Sequence, residues 1–157
     1  MSMKIMVPLD GSAFSEQALP CAMDLARRRS ATIHLVRIYP VPMINAASGL
    51  SGYYPLDEDD NAIAEVKEYL DGFAALCEAK GVPAQSFAIG GVVCVALSAH
   101  VEREAIDMII MTTHGRGGLS RAWLGSVADR LVRTANVPVL MLRPQGNIEV
   151  PRYPAPS

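Results

Sequence analysis

The sequence predicts one α/β domain built on a doubly wound parallel sheet, and three observations lead to that expectation. Five short apolar runs alternate with four helical patterns along the 157 residues. Strands that alternate with helices are joined by right-handed crossovers, which make the sheet parallel and cover both of its faces. The run 105–111, AIDMIIM, is almost continuously apolar, as expected of a strand buried on both sides. Finally, over Thr112–Arg143 a glycine-rich turn leaves one apolar strand, a Gly-Ser pair opens an amphipathic helix, and a second apolar strand follows. That order puts several backbone N–H groups and a helix N-terminus at the carboxyl edge of the sheet, a place suited to a phosphate group.

In chain order, Met3–Leu9 is the first strand, and Ser12 or Ser15 caps the helix after it. The inner face of that helix carries Ala18, Ala22, Leu25 and Ala26, and Pro20 inside it predicts a late start or a kink. Ala31–Tyr39 is the second strand. The connection Pro40–Asn61 is longer than most α/β loops; Tyr53-Tyr54 within it either cover a ligand or belong to a solvated loop. In the next helix Ile63, Val66, Leu70, Phe73 and Cys77 recur at helical spacing, and Lys80-Gly81 stops it. Ala84–Ile89 is the third strand, and after Gly90-Gly91 a helix carries Val93, Leu97 and Val101. Ile106–Thr113 is the fourth strand. Gly115, Gly117 and Gly118 then permit positive φ and close backbone approach. Ser126 and Asp129 form an S-x-x-D capping pair for a helix with Val127, Leu131 and Ala135 on its inner face, and Val137–Leu142 is the last strand. Residues 1–144 are read as the domain and 145–157 as a proline-rich tail.

Half of the residues are hydrophobic and mean hydropathy is +0.21, which excludes a disordered chain. A net charge of −2 argues against nucleic-acid binding through a basic face. The strongest basic cluster, Arg27-Arg28-Arg29, reads as a helix end, where cations complement the dipole. No apolar run approaches the ~20 residues of a membrane span, so no membrane partner is expected. The N-terminus lacks a secretory signal's hydrophobic region. Cys21, Cys77 and Cys94 are odd in number, lack metal-type spacing and lie in apolar helical segments, so buried free thiols in a reducing cytoplasm are expected.

Catalytic patterns are missing. The sequence has no G-x-x-x-x-G-K-[ST] loop, no G-x-S-x-G elbow and no assignable Ser/His/Asp set. His34, in a strand, His100, on a helix, and His114, in a loop, form no recognisable metal set, and Trp123 reads as packing. Asp10, at the end of the first strand, accepts from a ribose hydroxyl, orients a cation or caps the following helix. Arg116 pairs with a phosphate or stays an exposed loop arginine.

Taken together, KIMVPLDGSxxS, MTTHGRGGLSRAWLGSVADRLVR and VPVLMLR resemble the universal stress protein family along nearly the whole folded length. The family's nucleotide-binding branch carries G-x2-G-x9-G-[S/T]. Gly115, Gly125 and Ser126 match its last part, while Thr112 stands where the first glycine would be. The resemblance implies a Rossmann-like sheet of order 3-2-1-4-5 and a nucleotide ligand, ATP alone or with Mg²⁺, for which Asp10 is the candidate metal contact. It sets Pro8 and Asp10 against the nucleotide and Ile38 toward adenine. Thr112, Gly115, Arg116, Gly125, Ser126 and Val127 would surround ribose and phosphates. It further implies a cytoplasmic, non-enzymatic stress-response sensor that pairs as a homodimer through Val137–Leu142. The alternatives are an interaction protein of the same fold that binds no nucleotide, and a weak ATP hydrolase or phosphoryl-transfer enzyme.

Overall fold

The computed structural model describes residues 2–41, 60–114 and 124–145. Five strands, β1 (Lys4–Pro8), β2 (Thr32–Tyr39), β3 (Ala84–Gly90), β4 (Met108–Thr112) and β5 (Val139–Leu142), form one sheet in the order β3-β2-β1-β4-β5. Every neighbouring pair is parallel, with Met6 beside His34 and Ile109, and Ile110 beside Leu140. The chain winds outward from β1 to β3 and then crosses back to β4, so the strand order reverses at β1. In open α/β sheets that reversal opens a crevice beyond the carboxyl ends of the central strands.

Side-chain alternation divides the core between the two faces. Ile5, Val7, Ile33 and Leu35 point to one side and pack with Ala18, Ala22 and Ala26 of α2 (Ala18–Arg29) and with Leu70 and Phe73 of α3 (Asp60–Ala79). Met6, Val36, Ile109 and Met111 point to the other, against Leu97 and Val101 of α4 (Val93–Arg103) and Ala128 and Leu131 of α5 (Ser126–Thr134). The family-implied sheet order and the two covered faces are both observed.

Local chemistry sets the element ends. The first helical pattern is divided into α1 (Ala13–Glu16) and α2 at Gln17. Pro20 is thereby the third residue of α2, in the first turn, where its missing N–H forfeits no helical hydrogen bond. Ser12 is the cap of α1: its Oγ accepts from the Ser15 N–H at 3.2 Å. Asp24 pairs with Arg27 and Arg28 in the basic last turn of α2. After α3, Gly81 takes φ +75° and the Val82 N–H donates back to the Cys77 carbonyl. The last two strands begin two residues later than their apolar runs. Before β4 the Asp107 N–H is held by the Lys4 carbonyl, and before β5 Pro138 has no N–H to offer.

All three cysteines are free, yet only Cys77 is buried; Cys21 and Cys94 are half-buried, which corrects the expectation of three buried thiols. Cys77 sits on the inner stripe of α3, whereas Cys21 and Cys94 fall beside the inner stripes of theirs. Burial, with a smaller contribution from Glu78, pushes the Cys77 thiol up to about 11. Among the described residues no helix is long and apolar enough to cross a membrane. Tyr53, Tyr54, Gly115–Trp123 and the tail from Gly146 onward lie outside the described residues.

Candidate ligand site at the carboxyl edge of the sheet

Where β1 ends, Asp10 turns its carboxylate back on the chain. Its Oδ1 accepts from the Ser12 N–H at 2.9 Å and from the Ser12 hydroxyl at 2.5 Å, while the Ser15 Oγ accepts from the Asp10 N–H. These bonds wind the loop tightly, and Gly11 absorbs the bend at φ +85°, a conformation that disfavours any residue with a Cβ. Capping and loop-shaping are thus observed roles of Asp10.

At the end of β4, Thr112 is 5% exposed and paired with Leu142 of β5. Its hydroxyl donates to the His114 carbonyl at 2.7 Å. The Thr113 carbonyl accepts from the Gly125 N–H at 2.7 Å, docking the start of α5 onto the end of β4. A Cβ on Gly125 would stand 3.1 Å from that carbonyl oxygen, so the close approach depends on glycine.

The helix start differs from the expected S-x-x-D cap. Gly125, with φ −65° and ψ 154°, is the N-cap, and Ser126 is the first helical residue. Asp129 therefore lies too far along to reach back and instead receives the Arg133 guanidinium at 3.0 Å, one turn on. A glycine cap has no side chain to accept from the first-turn N–H groups, which leaves them directed at whatever lies before the helix.

A cavity of about 740 Å³ occupies this edge. Pro8 and Asp10 line it from β1, Ile38 from β2, Thr112 from β4, and Gly125, Ser126 and Val127 from the start of α5. The structure brings these seven anticipated residues around one space; Gly115 and Arg116 lie outside the described residues. Val36, Leu97 and Met111 add an apolar wall on the α4 face, and Tyr39 and Val66 line the opposite side. Gly90, at the end of β3, makes room for Tyr39, whose ring carbons would lie 3.0 and 3.2 Å from a Cβ there.

Two polar arrangements escaped the sequence reading. Arg37 lines the same cavity, with its guanidinium 4.8 Å from the Tyr69 ring centre. Tyr69 in turn donates its hydroxyl to Glu16 at 2.9 Å, and burial, then the Glu16 charge, holds its phenol far above the usual range. The second lies in the core, where His34 and His100 meet at 3.3 Å between Nδ1 and Nε2. The Arg103 guanidinium, always a donor, lies 3.1 Å from His100 Nδ1 and assigns that nitrogen as acceptor, so His100 Nε2–H donates to His34 Nδ1. Phe87 stacks on His34 at 4.7 Å. Burial lowers both imidazoles, His100 to about 4, aided by His34 and Arg103, so both are neutral near pH 7. No sequence signal joins residues 66 positions apart; only the packing of α4 on β2 does.

A parallel α/β sheet with a cavity at its strand-order reversal defines a class of ligand-binding domains. Within that class, the family model described as "Universal stress protein family" matches residues 1–143, and the chain belongs to that family. Among its relatives, a universal stress protein of Methanocaldococcus jannaschii, MJ0531, is 29% identical over 147 residues, covering 89% of this chain and 81% of that protein. YxiE of Bacillus subtilis is 28% identical, covering 89% and 98%. The fold is shared with the hypothetical protein MJ0577 of Methanocaldococcus jannaschii (TM-score 0.78, 22% identity, 94% and 99% covered). It is also shared with a universal stress protein family protein from Arabidopsis thaliana solved with AMP bound (TM-score 0.66, 19% identity, 92% and 93% covered).

Proposed function

We propose that the cavity binds a nucleotide, with ATP as the physiological ligand, and that the protein is a cytoplasmic stress-response sensor without robust catalysis. One observation carries this reading: a cavity of about 740 Å³ joins an apolar wall to an α5 N-terminus whose glycine cap lacks a side chain. That volume falls within the roughly 300–1,000 Å³ of small-molecule sites. The base fits beside Ile38, Val36 and Leu97, and the phosphates before Gly125, Ser126 and Val127, where the helix dipole favours an anion. Pro8, Asp10 and Thr112 border the ribose, and Gly115 and Arg116 complete the phosphate side. Fold relatives solved with AMP and with dAMP support a nucleotide in this class of site.

Among the described residues no group of three or more His, Cys, Asp or Glu can hold a metal ion. Mg²⁺ would therefore arrive on the ligand's phosphates, with Asp10 as its protein contact. Asp10 is already engaged by Ser12, which favours anchoring over service as a catalytic base. Residues 1–144 act as the sensing domain and 145–157 as its tail. Two copies pair through β5, an edge strand on which Leu140 is 37% exposed.

Calorimetric titration of nucleotide-free protein with ATP and Mg²⁺ tests the reading. Saturable binding of one nucleotide per chain is expected; no heat and no thermal shift at millimolar ATP would overturn it. Thr112 favours a second reading, an interaction protein of the same fold that binds no nucleotide, because its side chain borders the cavity where the family motif has glycine. A Thr112→Gly variant that gains ATP binding absent from the parent would establish it.

A further inference from the structure

The cavity does not stay on one face of the sheet. Ile38, Leu97, Met111 and Val127 belong to the α4–α5 side, whereas Arg37, Tyr39 and Val66 line it on the α3 side. The lining thus includes residues of both faces at the sheet edge. The α5 N-terminus lies on the α4–α5 side. On the α3 side, Arg37 is the one lysine or arginine among the described lining residues.

Its guanidinium has two described neighbours. The ring centre of Tyr69, which is anchored by its hydrogen bond to Glu16, lies 4.8 Å from it. The other is Gly11, where a Cβ would stand 2.9 Å from Nη2 and 3.0 Å from Cζ. Glycine at position 11 therefore serves two ends at once, the positive φ of the loop and room for the guanidinium. Arg37 forms no ion pair with a described carboxylate, although Asp10 and Glu65 border the same cavity. Glu65 lies exposed, and Asp10 Oδ1 is taken by Ser12. A planar cation packed in this way presents its edge N–H groups to a ligand with little ordering left to pay.

Arg37 stands on β2 and α5 follows β4, with β1 between those strands, and the two approach the cavity from opposite faces of the sheet. We propose that Arg37 is a specificity-determining residue that reads a second anionic group on the nucleotide, so that a 3′-phosphate, as in a nucleoside 3′,5′-bisphosphate, tightens binding. The inference rests on the nucleotide reading above: the 5′-phosphate takes the α5 N-terminus and the ribose borders Asp10, which turns the 3′ side toward Arg37.

The test is calorimetry with adenosine 5′-monophosphate and adenosine 3′,5′-bisphosphate at one fixed ionic strength. The intact protein should bind the bisphosphate about tenfold more tightly, the scale of one charge-assisted hydrogen-bonding contact. In Arg37→Gln that ratio should fall to about one, and Arg37→Lys, which keeps the charge without the planar fork, should retain part of it. Equal affinities in the intact protein would overturn the proposal and leave nucleotide binding standing, and that comparison needs no variant to fold. A preference that survives Arg37→Gln would also overturn it. Failure of both probes to bind would remove the nucleotide reading and this inference with it.

Discussion

At the carboxyl edge of the sheet, Asp10, Thr112 and the first turn of α5 surround an open cavity, while on the α4 face His34 and His100 meet fully inside the core. Both regions bury polar chemistry, but they dispose of it differently. In the core, Arg103, His100 and His34 satisfy one another in a chain, and burial keeps the imidazoles neutral. At the edge, Asp10 and Thr112 spend their hydrogen bonds on nearby loop groups, Ser12 and the His114 carbonyl, and so shape walls around space instead of filling it. His34 and His100 therefore mark packing, and glycine at 11 and 125 marks the site.

The largest effect expected from breaking this contrast is on stability. His100→Ala opens a void and strands His34 Nδ1 in the core, which should cost about 2–4 kcal/mol in urea denaturation while ligand binding at the edge is retained. Next comes pH. Both histidines are lowered in the folded state, so the unfolded chain binds protons first as pH falls below about 6.5. Their contribution is complete above that value and is lost as pH falls toward about 4, the folded value of His100. The melting temperature should fall across that window, and less steeply in His100→Gln; the difference separates the imidazoles from acids such as Glu104, which Arg103 holds low.

At the edge the expected changes are smaller. Gly11→Ala forces φ +85° on a residue with a Cβ and pushes it into Arg37, at about 1–3 kcal/mol. Unlike His100→Ala, it should also weaken ligand binding, because the loop forms the cavity wall. Thr112→Val removes the hydroxyl bond to the His114 carbonyl and should cost about 1 kcal/mol, read as a modest drop in the denaturation midpoint.

Much of the edge was legible in the sequence because its signals are local. Pro8-Leu9-Asp10-Gly11-Ser12 and Gly125-Ser126 are strand ends and helix starts within a few residues of one another, and the family resemblance supplied the sheet order. The division at Gln17 followed from Pro20. What stayed hidden depends on tertiary register. The His34–His100 pair needs α4 seated on β2, and the Arg37–Tyr69 stack needs α3 seated on the other face. The S-x-x-D pair was misplaced by one residue because Gly125, held by the Thr113 carbonyl, took the capping position that a serine ordinarily occupies.

The central claim, that the open edge and not the histidine core takes a nucleotide, is tested most directly by following backbone amide resonances during titration with ATP and Mg²⁺. Saturable shifts should concentrate at Asp10, Ile38, Thr112, Ser126 and Val127 and leave the amides of His34 and His100 in place. Shifts that gather elsewhere, or none at millimolar nucleotide, would contradict it.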